Sequence, residues 1–309
     1  MTFEKSQRNK TIDIDVESGR RYLDRCVKIT SPLPSIDTVR DKTIIGNSFE
    51  VMPLLPKESV DLIIADPPYN LTKSYNGNVF RKQAQKDYET FTRRWLSLAV
   101  PLLKKSGTMY VCCDWESSLI IGNVLNEFLT VRNRITWQRE KGRGAAANWK
   151  NGMEDIWFAT NGDNYYFDLN AVKQRRRVIA PYRKDGEPKD WLESSSGSYR
   201  DTCPSNFWDD ITVPFWSMKE NTAHPAQKPE KLLAKLILAS SRPNELVFDP
   251  FLGSGSTSVT AKKLARHYAG IEQEERYCIW AEMRLEAAEE DKSIQGYDNG
   301  IFFERNFKK

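Results

Sequence analysis

Short apolar runs without polar alternation recur along the chain, and most are followed by a stretch with helical spacing. Thr43-Ile-Ile-Gly46, Leu62 to Ala65, Thr108 to Cys113, Glu245 to Asp249 and His267 to Ile271 read as strands. Leu62 to Ala65 in particular has the unbroken apolar character of a parallel strand buried on both faces. Phe49 to Leu55, Phe91 to Leu103, Ser117 to Leu129, 256–266 and Glu274 to Glu290 carry apolar residues at helical intervals, with Pro101 near the end of the second. Pro229 suits a first helical residue, and Leu232, Leu233, Leu236 and Ile237 form one apolar face behind it. Arg134 to Trp137 adds another strand. This βαβ rhythm predicts an α/β fold with a mostly parallel sheet.

Two regions break the rhythm. Residues 71–90 are polar, contain Gly77 and predict a long loop. Residues 139–222 differ throughout. A basic, glycine-rich stretch (139–152) precedes two strand-like segments, Asp155 to Thr160 and Tyr165 to Asp168, joined by the hairpin signal Asn161-Gly162. Six basic residues and no acid then occupy 173–184, followed by polar sequence bearing Trp191, Tyr199, Trp208 and Trp216. This composition predicts an insertion. The expected organisation is an N-terminal extension (1–41, ordered around Tyr22 to Ile29), a domain over 42–290 and a tail over 291–309. The domain divides into 42–138, the insertion at about 139–222, and 223–290.

Composition narrows the chemistry. At 39% apolar over 309 residues, the chain can bury a sizeable core. A net charge of +4 is compatible with a polyanionic partner but too mild to demand one. Five cysteines show no CxxC spacing, and Cys112 and Cys113 read as buried thiols. His224 and His267 are the only histidines, which argues against a His-based metal centre and a Ser-His-Asp triad. No metal site is expected. No apolar run has signal-peptide or membrane-spanning length, so the default is a reducing cytoplasm.

The strand at 61–65 ends on Asp66-Pro67-Pro68-Tyr69, because neither proline can donate to a ladder. A carboxylate and an aromatic ring are thus delivered at the carboxyl edge of a sheet, where open α/β folds bind ligands. Glu245 to Thr257 is a second constellation: a strand, a glycine turn and a helix start. Gly253 and Gly255 permit close backbone approach, and Ser256 or Thr257 can cap the helix. Glu272 follows 19 residues after Gly253, an offset at which an acid accepts both ribose hydroxyls of an adenosine ligand. The P-loop lysine is missing, and Ser258 stands where a dinucleotide fingerprint has its third glycine. An adenosine without phosphates fits best, S-adenosylmethionine being the obvious one. The candidate cofactor contacts in this half are Asp249, Phe251, Gly253, Ser254, Gly255, Ser256, Thr257 and Glu272.

Between these constellations lie candidate nucleic-acid contacts: Arg139, Lys141, Arg143 and Lys150, then Arg175, Arg176 and Arg177. The acid-free run favours phosphate contact over a merely solvated surface. Trp137 is either a stacking wall for an extruded base or, more commonly for a lone Trp, core packing.

Asp66-Pro67-Pro68-Tyr69 together with Asp249-Pro-Phe-Leu-Gly-Ser-Gly-Ser-Thr257 resembles the DNA amino-methyltransferases. The order, with the Asp-Pro-Pro-Tyr turn first and the cofactor glycines last, is similar to their beta class. His224-Pro-Ala-Gln-Lys-Pro229 resembles the family's HPTQKP segment, with Ala226 where Thr is usual. Asn47-Ser48 stands where many relatives have Asp-Cys. The resemblance spans about residues 40–290. It implies a Rossmann-like, mostly parallel seven-stranded sheet with one antiparallel strand, and a target-recognition region at 139–222. It also implies methyl transfer from S-adenosylmethionine to an exocyclic amine of a flipped base in double-stranded DNA. His224 and Lys228 would lie near the methionine end of the cofactor, and Asn47 and Ser48 near its adenine. Asp66 and the Pro67 carbonyl would accept the amine hydrogens. Tyr69 would stack on the base, with Asn70 among the DNA-facing candidates.

Asp at the first motif position favours adenine N6 by resemblance, with cytosine N4 as the alternative. A protein-glutamine N5-methyltransferase would have Asn there, and a non-catalytic DNA-binding relative would not need Asp66, Tyr69 and the glycines intact. The family further implies a bacterial or phage-encoded cytoplasmic enzyme and, since many relatives dimerise, a homodimer. Its members occur both with a cognate restriction endonuclease acting on the same site and as solitary enzymes, and both alternatives stay open.

Overall fold

The computed structural model describes residues 8–305 apart from 76–77, 140–146, 179–181, 186 and 195–196. Lys141 and Arg143 therefore lie outside the described residues. The first strands are β1 (Lys42–Ile45), β2 (Val60–Ala65), β3 (Leu103–Cys113), β4 (Thr130–Gln138) and β5 (Met153–Thr160). Next come β6 (Gln174–Arg177), β7 (Leu192–Ser194), β8 (Gly197–Thr202) and the two-residue β9 (Phe207–Trp208). The last are β10 (Leu246–Asp249), β11 (His267–Glu272), β12 (Tyr297–Asp298) and β13 (Ile301–Phe303). The main helices are α1 (Gln85–Ala99), α2 (Trp115–Phe128), α3 (Glu230–Ser240), α4 (Ser256–Lys263) and α5 (Glu275–Glu290).

The large sheet has the order β1-β11-β10-β2-β3-β5-β4-β9. It is parallel throughout except that β5 runs against both β3 and β4. The one antiparallel strand is as expected; the strand count is eight rather than seven because β9 joins the edge. Alternate side chains of β2 enter different layers, which is why its sequence is continuously apolar. Ile63 and Ala65 pack with Trp95, Leu96 and Leu125 from α1 and α2, whereas Leu62 and Ile64 pack with Leu232, Leu236 and Val259 from α3 and α4. Strands β2 and β10 are neighbours, with Phe248 opposite Ile63. Their carboxyl ends, which carry the two motifs, therefore emerge side by side at the point where the chain's strand order diverges.

Several sequence expectations need correction. The predicted helix at 91–103 begins earlier, at Gln85, and gives way after Ala99 to a single 3-10 turn before β3. The polar stretch 71–90 contains a small ladder, Lys73–Tyr75 with Asn78–Phe80. Asn161-Gly162 does not turn a hairpin: β5 pairs with β3 and β4, and 165–168 forms no strand. The Asn161 amide instead donates to the carbonyls of Leu103 and Lys104 at 3.3 and 3.1 Å, and the Tyr165 and Phe167 rings pack on Phe158. Within the expected insertion, β5 lies inside the large sheet.

A smaller sheet, β7-β8-β6-β13-β12, covers the outer side of α3. Its last two strands come from the predicted tail, with Phe302 opposite Gln174. Every residue of α3 is consequently buried. Lys231 and Lys235 are accommodated by Asp210, whose carboxylate lies 2.6 and 2.8 Å from their ammonium groups. At the other end, Ile12 pairs with the segment before α3: its N–H donates to the Asn221 carbonyl and its carbonyl accepts the Ala223 N–H, both at 2.9 Å. Farther along the same extension, Tyr22 is buried against Tyr277 and Trp280, and Val27 bridges to Ile44.

Candidate active site

The turn after β2 is clamped from behind. Tyr88 of α1 donates its hydroxyl to the Pro68 carbonyl at 3.0 Å. Asn70 is buried; its amide nitrogen donates to the Gln83 carbonyl at 3.0 Å, its amide oxygen accepts the Gln83 N–H at 2.7 Å, and its backbone N–H donates to Ser117 Oγ at 3.1 Å. Asn70 is expected to face DNA, but its polar atoms are occupied in latching this turn to the segment ahead of α1 and to α2.

Both oxygens of Asp66 are engaged. Oδ1 accepts the Tyr69 hydroxyl at 2.8 Å, and Oδ2 accepts Lys228 Nζ at 2.5 Å. Glu154 stands beyond this pair: its Oε2 is 3.2 Å from Tyr69 Oη and 3.5 Å from Lys228 Nζ, while Oε1 accepts Arg139 Nη1 at 2.6 Å. Two carboxylates and two cations thus alternate around the Tyr69 hydroxyl. Burial pulls the Lys228 ammonium toward neutrality, but the charges of Asp66 and then Glu154 outweigh it and hold its pKa above the usual lysine value. Burial, reinforced by Asp66, pushes the Tyr69 phenol well above its ordinary range. Lys228, expected near the methionine end of the cofactor, lines the same cleft as the glycine turn and pairs with Asp66, as a buried ammonium is costly unless it is paired.

The glycine turn after β10 is held by Asp249, whose Oδ1 accepts the Phe251 N–H at 2.9 Å and whose Oδ2 accepts the Thr257 hydroxyl at 2.6 Å. Gly253 and Gly255 have φ of 56° and 82°. A Cβ on Gly255 would lie 2.6 Å from the Ala281 methyl, so this glycine lets the turn approach α5 closely. A Cβ on Gly253 would lie 3.1 Å from the His224 ring. Glu272 receives the N–H groups of Gly253 and Glu274 at 2.8 and 2.9 Å. Burial pushes both Asp249 and Glu272 up to about 7, against the opposing pull of these hydrogen bonds. Arg284 bonds the Ser254 carbonyl, Ser256 Oγ and Glu230 at 2.8, 2.9 and 3.0 Å. Nearby, Asn47 caps a short helix through Phe49 N–H at 2.9 Å, and Ser48 donates to the Pro250 carbonyl.

The two turns open into one cleft of about 600 Å³. Its walls include Asp66, Pro67, Pro68, Tyr69, Asn47, Ser48, His224 and Lys228, and also Asp249, Phe251, Gly253, Ser254, Ser256, Thr257 and Glu272. Trp137 and Arg139 complete one side. Trp137 also belongs to the core, with its indole N–H donating to the Ile211 carbonyl at 3.0 Å. Gly255 lies beneath the wall rather than in it.

Among the described residues, the other basic candidates, Lys150 and Arg175 to Arg177, do not line the cleft. Arg175 makes a two-pronged pair with Asp201 at 2.8 and 2.7 Å and lies over the Tyr199 ring, while Arg176 is 3.6 Å from Asp209. The run lacks acids in sequence, but strand pairing supplies Asp201 from across the ladder. Arg177 and Lys150 are exposed. Glu154 is the principal residue that sequence reasoning missed. Since β5 runs antiparallel, its first residues reach the edge where the parallel strands end, and Glu154 sits opposite Trp137. Nothing local to Met153-Glu-Asp155 announces this.

Among the described residues, no group of three or more His, Cys, Asp or Glu side chains is arranged to hold a metal ion. None of their helices is long and apolar enough to cross a membrane.

A family model described as DNA methylase matches residues 60–283. The DNA adenine methyltransferase YhdJ of Escherichia coli (strain K12) is 33% identical over 259 residues, covering 80% of this chain and 83% of that protein. The type II methyltransferase M.HpaI of Haemophilus parainfluenzae is 31% identical over 261 residues, covering 84% and 76%. Among solved structures, the M1.HpyAVI–SAM complex superposes with a TM-score of 0.54 at 24% identity, covering 79% of this chain and 98% of that one.

Proposed function

The chain belongs to the DNA methylase family, and from that premise we propose that it transfers the methyl group of S-adenosylmethionine to N6 of a flipped adenine in DNA. One observation carries the reading: Asp66-Pro67-Pro68-Tyr69 and the turn from Asp249 to Thr257 line the same cleft, at the adjacent ends of β2 and β10.

The donor set fits the cofactor. Glu272 is anchored by two backbone N–H groups and can still accept ribose hydroxyls, and the space a Cβ would fill at Gly253 stays open beside His224. Asn47, Phe251 and His224 line its path, whereas the hydroxyls of Ser48 and Thr257 are already engaged in shaping the wall. When bound, the cofactor supplies an electrophilic methyl group.

An exocyclic amine is a weak nucleophile because its lone pair is delocalised into the ring. Asp66 accepts one N–H and the Pro67 carbonyl accepts the other, which favours a pyramidal nitrogen with its lone pair free. Tyr69 offers its ring to the base, which must leave the duplex to reach this depth. Trp137 and Arg139 border its entry. The E. coli relative's description as an adenine enzyme, with Asp at the first motif position, supports adenine over cytosine N4. The H. parainfluenzae relative supports a restriction partner. A homodimer and a cytoplasmic location accompany the proposal by family resemblance.

The test is to incubate the protein with DNA and methyl-labelled S-adenosylmethionine, digest to nucleosides and separate them. N6-methyladenine is expected. N4-methylcytosine would transfer the reading to the alternative, and no labelled nucleoside would overturn both.

A further inference from the structure

We propose that Glu154 is a positioning residue which takes the Lys228 ammonium from Asp66 as the target amine arrives. The inference rests on the function proposed above.

Asp66 holds one donor on each oxygen in this structure, the Tyr69 hydroxyl on Oδ1 and the Lys228 ammonium on Oδ2. Each oxygen keeps a second lone pair, but an ammonium at 2.5 Å offsets the charge that makes Asp66 a strong acceptor, so the carboxylate holds an amine hydrogen more firmly once Lys228 has moved off. Lys228 is buried and cannot simply turn to water. Its ammonium has three hydrogens, and a second anion, Glu154 Oε2, stands 3.5 Å away. That separation is an ion pair but too long for a good hydrogen bond; a movement of less than about 1 Å converts one into the other. Glu154 is prepared to receive it, because Arg139 holds Oε1 at 2.6 Å and fixes the carboxylate in place. Its side chain is itself only 7% exposed. The exchange moves one cation between two anions within the cleft and leaves the local charge unchanged, and Asp66 keeps the Tyr69 hydroxyl while it gains the amine hydrogen.

Glu154 acts through Lys228 and need not touch the base. Glu154→Gln keeps the shape and leaves Arg139 an oxygen to bond, but it removes the second anion, so Lys228 stays on Asp66. The expected result is a fall in single-turnover methyl transfer of about 10- to 100-fold, with cofactor affinity within about two-fold of the parent. Two further variants separate this from a structural role. Glu154→Asp retains the anion and should be faster than Glu154→Gln. Adding Lys228→Met to Glu154→Gln uncovers Asp66 and should also be faster than Glu154→Gln alone. A double variant as slow as Glu154→Gln, or slower, would overturn the exchange, as would a Glu154→Asp variant no faster than Glu154→Gln. The nucleoside made by the parent protein tests the underlying function, and the ratios among variants test only the exchange.

Discussion

Lys228 Nζ lies 2.5 Å from Asp66 Oδ2 across 162 positions of sequence, so the segment ahead of α3 bears directly on the carboxylate that follows β2. Replacing Asp66 with Ala should abolish labelled-methyl incorporation while calorimetry still detects cofactor binding. It should also lower the melting temperature, because Lys228 loses its nearest partner. The loss should fall short of the about 3–5 kcal/mol typical of a broken buried pair, since Glu154 remains within reach. Wild-type turnover by this variant would remove Asp66 from the mechanism.

The two glycines of the cofactor turn should fail differently. Gly255→Ala drives a methyl group into Ala281 at a positive φ, and should cost about 1–3 kcal/mol in a denaturant melt. Gly253→Ala carries the same positive-φ strain but meets the His224 ring rather than a helix backbone, so it should cost less stability than Gly255→Ala and weaken cofactor binding more. Equal stability losses with equal cofactor affinities would contradict this division.

Acidity should tune both stability and affinity. Burial lifts Glu272 and Asp249 to about 7 from ordinary values of 4.5 and 3.8. Between those values the folded chain holds protons that the unfolded chain has released, so stability should decline as pH rises toward about 7 and level off above it. Cofactor hydroxyls donating to Glu272 favour its ionised form, so affinity should increase across the same window. Melting curves and titration calorimetry at pH 6 and pH 8 would check both signs, and Glu272→Gln should flatten the affinity trend.

The basic strand offers a comparison between neighbours. Arg177→Ala should reduce the salt dependence of DNA binding by about one unit of slope, as expected for one lost phosphate contact. Arg175→Ala should leave the slope unchanged and lower stability, because its guanidinium is committed to Asp201 and Tyr199. Filter binding over a salt series would distinguish them, and a reduced slope for Arg175→Ala would refute the assignment.

What could be read in the sequence was whatever depended on neighbours along the chain. The continuous apolar run at Leu62 to Ala65, the prolines that end it and the glycines at 253 and 255 each act within a few residues, and the structure places them as read. What escaped depended on pairing across the sheet. Asn161-Gly162 was a sound hairpin signal, overridden when β5 found partners in β3 and β4 on either side. Arg175 lacked an acid in its own run because Asp201 faces it from the next strand. Glu154 was invisible for the same reason: only the reversed direction of β5 brings it to the edge where Asp66 and Asp249 end their strands.

The segment around Ile12 had no readable role, yet it runs alongside Asn221 to Ala223, immediately ahead of His224 and Lys228. Those two residues face the glycine turn and Asp66. A chain shortened past Ile12 would keep its sheet and both motifs but lose the outer guide rail for the segment that aligns them. The accuracy of the centre is therefore set partly by residues that touch neither motif.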